Sequence, residues 1–383
     1  MAVAQLLARR QRLKRALVRS ERGCSDFTPP PPLTLEGPTP AAPFGSSAPL
    51  EWERVQLQVE PGDIGRLVLL IAKQADAAPA EPRPTVIIVH QTGSAKEFVA
   101  GHLERYAQKG FLAVAFDVRY HGERALPNAG LPEPLKVSSL GPELNKALKG
   151  VSEQRKSVYH DALVRAWKTG EEKPFIYDTV SDAYQVIDYL TTRKDVNKYS
   201  IGATGISLGG MITWLLAASD ERIAVVAPAI GVQSFRYAVE NNSWAPRVNS
   251  ILPLFEQAAK DMGKGDVDTE VVKAVWKRVL PGMIDGEFDA EFSLPCIAPR
   301  PLLVVSGELD GRCCIEGVKA AVKHASTEYK AQGALSRIRH FIDMGVDHEM
   351  TDNMWGAIDP FLEETLLQDT GMHQPSPSKK ARL

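Results

Sequence analysis

Three side chains far apart in the chain have the types that turn an alcohol into a nucleophile: Ser207, Asp310 and His348. A serine hydroxyl reacts poorly at neutral pH until a histidine takes its proton, and the histidine needs a carboxylate to fix its tautomer. Ser207 lies in Gly205-Ile206-Ser207-Leu208-Gly209, between "SIGAT" and "MITWLLAAS". The first stretch reads as a buried strand and the second as a helix, so this G-x-S-x-G falls on a strand-to-helix turn. Side chains flanking so tight a turn must nearly vanish, and the helix start offers free N–H groups to an anion. Asp310 follows the strand-like "PLLVVSGEL", and His348 follows the strand-like "RIRHFID". The order serine, acid, histidine is the one a nucleophile on such an elbow requires.

Rival readings are weaker. Thr204-Gly205-x-x-x-Gly209 has the look of a dinucleotide loop, but Met211 stands where a further glycine is needed and the motif lies mid-chain. A zinc helix starting at His348-Glu349 would need a histidine where Asp352 stands. Glu308 competes with Asp310 as the acid, and Asp347 adjoins the histidine, where neighbours in an extended loop point apart. An acyl-transfer site also needs donors for its oxyanion. The Leu208 N–H after the nucleophile is one, and "VIIVHQTG" supplies Thr92, with Gln91 second, after an early strand.

The elements that must position these groups alternate between strand-like and helix-like. "ERVQLQVE", a Pro61-Gly62-Asp63 turn and "RLVLLIA" read as an antiparallel hairpin. "TVIIV", "LAVAF", "SIGAT", "AVVAP", "LLVVS" and "RIRHFI" then alternate with helical stretches, including one over about 177–192. That alternation implies a mostly parallel sheet with helices on both faces, an α/β class. Residues 231–294 break it with helical patterns alone, a lid over the site, in which Phe235 and Trp244 are candidate pocket walls. The catalytic domain is expected over 49–368.

The chain has 383 residues, 44% hydrophobic and 24% charged, which fits a globular protein. A net charge of −2 gives no case for nucleic acid, and no apolar run reaches the roughly 20 residues of a membrane helix. The four cysteines lack zinc-site spacing. Residues 1–48 read as a disordered or targeting tail: an Arg-rich, acid-poor start that fits an organelle address, then a proline-rich linker. Residues 369–383 read as a second tail. Its final Ala381-Arg382-Leu383 has the small-basic-leucine pattern of a peroxisomal address, which makes an import receptor a candidate partner. The expected location is the peroxisome, with mitochondrion, plastid or cytoplasm as alternatives.

"VHQTG", "FDVRYHGER", "GISLGG", "APRPLLVVSGELD" and "DHEM" together resemble the α/β-hydrolase superfamily, most of all its dienelactone-hydrolase and prolyl-oligopeptidase-like esterase branch. The resemblance runs from about Trp52 to Leu367. It implies an eight-stranded, mostly parallel sheet, with Ser207 as nucleophile, Asp310 as acid and His348 as base. It also makes Asp117, Arg119 and His121 structural supports beneath the site. Gln91 and Asp347 replace glycines usual in the family, and an anion at 347 would favour a protonated base. Serine stands where dienelactone hydrolases carry cysteine. The implied function is hydrolysis of a carboxylic ester or thioester through an acyl-enzyme, with no metal or organic cofactor. A non-catalytic receptor or scaffold of the same fold, and a small peptidase, are the alternatives.

Overall fold

In the computed structural model the described residues are 3–18, 27–35, 49–75, 81–125, 142–170 and 176–368, with backbone alone for 142–152 and 155. A hairpin starts the central sheet. Strands β2 (Leu50–Gln58) and β3 (Arg66–Gln74) pair antiparallel from Leu50↔Gln74 to Gln58↔Arg66, as the period-two pattern requires. Strands β4 (Arg83–Val89), β5 (Leu112–Phe116), β6 (Val196–Ile206), β7 (Ile223–Ala229), β8 (Leu302–Gly307) and β9 (Ile338–Asp343) continue it. Their mutual pairings are all parallel, with β4 between β5 and β6.

Among the described residues the sheet has nine strands, one more than the eight expected. The extra one, β1 (Leu33–Thr34), lies in the segment read as linker and pairs with β2 at Leu33↔Gln56 and Thr34↔Val55. Prolines 29–32 end just before it, so an edge position costs them no ladder hydrogen bond.

Apolar runs in the middle of the sheet are buried on both faces because helices cover both. Residues 67, 69, 71, 87 and 89 join one core cluster, and residues 70, 72, 86 and 88 join the other. Helices α2 (Ala100–Gln108) and α13 (Asp352–Gln368) cover the second face. Helices α5 (Tyr177–Thr192), α6 (Leu208–Ser219) and α12 (Ile315–Ala331) cover the first. No helix of the described residues is long and apolar enough to cross a membrane.

The expected helical insertion is present. Between β7 and β8 run α7 (Phe235–Glu240), α8 (Ala245–Asn249), α9 (Leu252–Asp261), α10 (Thr269–Val279) and α11 (Ala290–Ser293). Trp276 is its hub, meeting Phe235 and Phe255 edge-on at centroid distances of 5.2 and 5.0 Å. The Asp289 carboxylate accepts the N–H groups of Phe235, Arg236 and Ala290 at 2.8–3.0 Å, tying the start of α7 to the start of α11. A second insertion was not anticipated. After α3 (Gly122–Ala125), α4 (Pro142–Thr169) packs on α9 and α10.

The N-terminal helix α1 (Val3–Leu17) corrects the tail expected over 1–48. It packs on α5, α6 and α11. Leu6, Leu13 and Leu17 make one buried stripe, and Arg10, which falls within it, is buried with them. Its guanidinium donates to the Cys296 carbonyl at 2.6 and 3.1 Å and pairs with Glu221. Arginine therefore belongs to the packed face: its stem covers apolar surface while its head satisfies carbonyls at a chain reversal. The proline-rich 36–48 and the tail 369–383, with Ala381-Arg382-Leu383, lie outside the described residues.

A docked α1 predicts that Leu13→Ala destabilises the protein by about 2–4 kcal/mol in chemical denaturation, while Leu7→Ala, at a position 46% exposed, stays within about 0.5 kcal/mol. Equal, negligible effects would mean that α1 does not pack on the body.

Candidate functional site

The three residues singled out for nucleophilic chemistry meet at the C-terminal rim of the sheet. Ser207 follows β6, Asp310 follows β8 and His348 follows β9. The His348 Nε2 lies 2.8 Å from the Ser207 Oγ, and its Nδ1 lies 2.8 Å from the Asp310 Oδ2. An unprotonated Nε2 is thereby left to accept the serine proton, and the Nδ1–H donates to the carboxylate. Asp310 is buried, and its Oδ1 accepts N–H bonds from Arg312 and Cys313, both 2.9 Å. Those bonds fix the carboxylate so that its second oxygen faces the imidazole.

The rival acids are occupied elsewhere. The Glu308 Oε2 accepts the Gly345 N–H at 2.8 Å. The Asp347 Oδ1 accepts the backbone N–H of His348 at 2.7 Å and that of Gly311 at 3.4 Å. Asp347 therefore shapes the histidine loop through backbone.

Ser207 has φ 53° and ψ −109°, a conformation that is strained for any residue but glycine. The Ser207 N–H donates to the Ala229 carbonyl at 2.9 Å, and its carbonyl accepts the Met211 N–H at 2.9 Å. The glycines do what the tight turn demands. A Cβ on Gly205 would lie 2.5 Å from the Gly209 carbonyl, and one on Gly209 would lie 2.1 Å from the Val89 oxygen. Neighbouring strand ends are bent as well: Tyr120 beyond β5 has φ 60° and Ile230 beyond β7 has φ 42°.

The close approach of Gly209 to Val89 also brings the loop after β4 beside the elbow. The His90 ring orders that loop. Its Nε2 accepts the Val118 N–H at 3.1 Å, so its Nδ1 carries the proton and donates to the Gln91 carbonyl at 2.8 Å. The Ser94 N–H reaches the same carbonyl at 3.3 Å. In a trans peptide the Thr92 N–H points opposite to the Gln91 carbonyl, away from the imidazole. Leu208 begins α6, so its N–H has no carbonyl one turn back within the helix. Both amides considered for the oxyanion thus belong to loops packed on each other.

Asp117, Arg119 and His121 build the support beneath. The Asp117 carboxylate accepts from the Lys96 Nζ at 2.8 Å, the Lys96 N–H at 2.9 Å and the Glu123 N–H at 3.0 Å. Burial pushes the Asp117 carboxyl up, but the Lys96 ammonium outweighs it and holds the group below the usual carboxylate range. Arg119 is bidentate to Asp182 at 2.7 and 2.8 Å and reaches Glu60 at 2.9 and 3.1 Å. The His121 Nδ1 donates to the Arg119 carbonyl at 2.9 Å, and burial pushes its imidazole down to about 3, which keeps it neutral. Lys96 and Glu60 were missed in the sequence, where nothing near either residue marks it as the partner of a loop tens of residues away.

The two lid aromatics do not behave alike. Phe235 is wholly buried against Trp276 and serves lid packing, which corrects its assignment as a pocket wall. Trp244 is half-buried and donates its indole N–H to the Thr269 Oγ1 at 3.2 Å, tying α8 to α10. On α8 the Arg247 guanidinium touches the Met211 Sδ at 3.1 Å.

The strand order, the elbow after β6 and the acid and histidine after β8 and β9 define an α/β-hydrolase fold. Residues 71–251 match the model of the dienelactone hydrolase family. The chain is 29% identical over 174 residues to the uncharacterized protein YcjY of Escherichia coli (strain K12), covering 45% of this chain and 42% of that protein. It is 27% identical over 181 residues to the putative hydrolase YtaP of Bacillus subtilis (strain 168), covering 45% and 50%. The chain thus spans about half the length of the curated relatives it matches. Among solved structures, methylesterase BT1017 superposes with a TM-score of 0.59 at 16% identity, over 94% of this chain and 64% of that one. Acetyl xylan esterase 1 from Thermoanaerobacterium sp. superposes with a TM-score of 0.58 at 15% identity, over 94% and 93%. At these identities the likeness is one of fold.

The elbow geometry predicts that Gly209→Ala destabilises the protein by about 1–3 kcal/mol or more through overpacking against β4. Gly356→Ala, with nothing within 4 Å of the added carbon, is harmless. Thermal denaturation of the two variants checks this; equal melting temperatures would contradict the close approach at Val89.

Proposed function

We propose that the protein is a serine hydrolase that cleaves a carboxylic ester or thioester of small to medium acyl group through an acyl-enzyme on Ser207. The observation that carries this reading is the continuous hydrogen-bond chain Ser207 Oγ–His348 Nε2, His348 Nδ1–Asp310 Oδ2, at 2.8 Å for each link. The match of residues 71–251 to the dienelactone hydrolase family supports an ester substrate. The names of the structural neighbours, a methylesterase and acetyl xylan esterases, point the same way.

In this reading His348 takes the proton as Ser207 attacks the carbonyl, and Asp310 stabilises the imidazolium that forms. The Leu208 and Thr92 amides hold the tetrahedral oxyanion, with the Gln91 amide as the second choice beside Thr92. The imidazolium returns its proton to the leaving group, and a water activated by the same His348 then cleaves the acyl-enzyme. Every step uses groups of this chain. The peroxisomal address and its import receptor remain part of the proposal through Ala381-Arg382-Leu383 alone. A reporter carrying that tripeptide, and one lacking it, tests that part.

Incubation with a fluorophosphonate probe should label Ser207, as read by peptide mass spectrometry. Ser207→Ala should remove both the label and 4-nitrophenyl acetate turnover. Asp310→Asn should keep the fold and lower kcat by roughly 10³–10⁴-fold, through the wrong imidazole tautomer. A folded wild-type protein that neither takes the label nor turns over any short ester or thioester would favour the receptor or scaffold reading instead. Full turnover by Ser207→Ala would overturn the assignment of the nucleophile.

A further inference from the structure

The acid loop carries a thiol that the proposed reaction does not use. Cys313 lies three residues beyond Asp310, is 2% exposed, and gives its backbone N–H to the Asp310 Oδ1 at 2.9 Å. Its Sγ donates to the Ile230 carbonyl at 3.3 Å. The sulfur therefore sits between the end of β7 and the carboxylate that orients His348. One ligand atom each from Asp310, Cys313 and His348 lies within 4.8 Å of the other two.

We propose that Asp310, Cys313 and His348 form a reversible, inhibitory site for a thiophilic divalent cation, with Zn²⁺ as its test case. The donor set is one carboxylate oxygen, one thiolate and one imidazole nitrogen, all ordinary zinc ligands. Bonds of about 2.0–2.3 Å in a tetrahedral site put ligand atoms roughly 3.3–3.8 Å apart. Closure around an ion therefore asks for shifts of about 1 Å, within the reach of side-chain adjustments on two loops. Water completes the fourth position.

The protonation changes make this site inhibitory. In the metal-free protein the Cys313 Sγ–H donates to the Ile230 carbonyl. A divalent ion beside it displaces that proton to solvent and leaves the thiolate bound. The histidine nitrogen facing Asp310 is Nδ1. When Nδ1 binds the ion, the single proton of the neutral imidazole moves to Nε2. An Nε2 that carries a proton cannot take one from Ser207. The same ion removes Asp310 from its role as orienter. No electron is transferred, and a chelator returns the triad to its starting state. The inhibitory role rests on the ester-hydrolase reading; the metal site does not.

The test uses the full chain in two arms. In the first, Ser207→Ala protein, which keeps all three ligands, is titrated with Co²⁺ alone. The expected result is a near-ultraviolet thiolate-to-cobalt absorption that saturates at a single equivalent and is bleached by Zn²⁺. Adding Cys313→Ser should abolish it, with Cys313→Ala in its place if the serine variant does not fold. Adding Cys314→Ser should leave it intact. In the second arm, Zn²⁺ should inhibit ester turnover by the wild type, a chelator should restore it, and Cys313→Ser should raise the inhibitory concentration roughly ten-fold or more. The absence of the thiolate band in Ser207→Ala protein, its survival in the Cys313 variants, or unchanged zinc sensitivity overturns the proposal. If the wild type cleaves no ester, the cobalt arm alone decides the metal site, and the failure belongs to the functional reading.

Discussion

The backbone at Ser207 is bent into a conformation that costs on the order of 1–3 kcal/mol for a side-chain-bearing residue, and the rest of the site depends on holding it there. A relaxed turn would drop the hydroxyl toward the sheet and take the first amides of α6 away from it. The strain is over-determined from three sides. Ala229 on the next strand accepts the Ser207 N–H, α6 closes its first turn on the Ser207 carbonyl, and Gly209 presses against the end of β4. Ile230 beyond the adjoining β7 and Tyr120 beyond β5, two strands away, also adopt positive φ, so three strand ends turn sharply where the loops must converge.

Convergence then needs rigid loops, and the sheet alone does not supply them. Two buried ionic groups do. Lys96, with no exposed surface, ties Asp117 to Glu123, and Arg119 ties Asp182 to Glu60. Buried ion pairs of this kind add little net stability, but removing one partner strands a charge and costs about 3–5 kcal/mol. Their effect is to fix the residues around them. Lys96 follows the His90–Gln91–Thr92 loop, and Arg119 and Asp117 flank the N–H that holds the His90 ring. The same logic recurs at the acid loop, where two N–H donors fix Asp310 before it meets His348.

The three residues of the candidate site were more legible in the sequence than the architecture around them. Ser207, Asp310 and His348 each follow a short apolar strand, and residue type plus element order bring them to one rim. The α5 bounds and the β2–β3 hairpin are visible for the same reason: their periodicity reports which face is buried. What the sequence hid depends on tertiary partners. The stripe of α1 has an arginine in it, and an arginine is at home in a buried stripe only when carbonyls such as Cys296 lie opposite. Strand β1 is two residues long and exists because β2 offers an unpaired edge. Helix α4, by contrast, carries a regular apolar stripe at Tyr159, Ala162, Leu163 and Ala166, all buried, which the strand-and-helix alternation passed over. Phe235 looked like a pocket wall because aromatic type does not tell a cavity lining from a packed interior.

The site works only if Asp310 holds the Nδ1–H of His348 and leaves Nε2 to accept from Ser207. Proton NMR of the full chain in water tests it most directly. A strongly downfield, exchange-protected ring N–H resonance should be present, persist in Ser207→Ala and disappear in Asp310→Asn. A spectrum without such a resonance in the wild type, or one unchanged by Asp310→Asn, would contradict it.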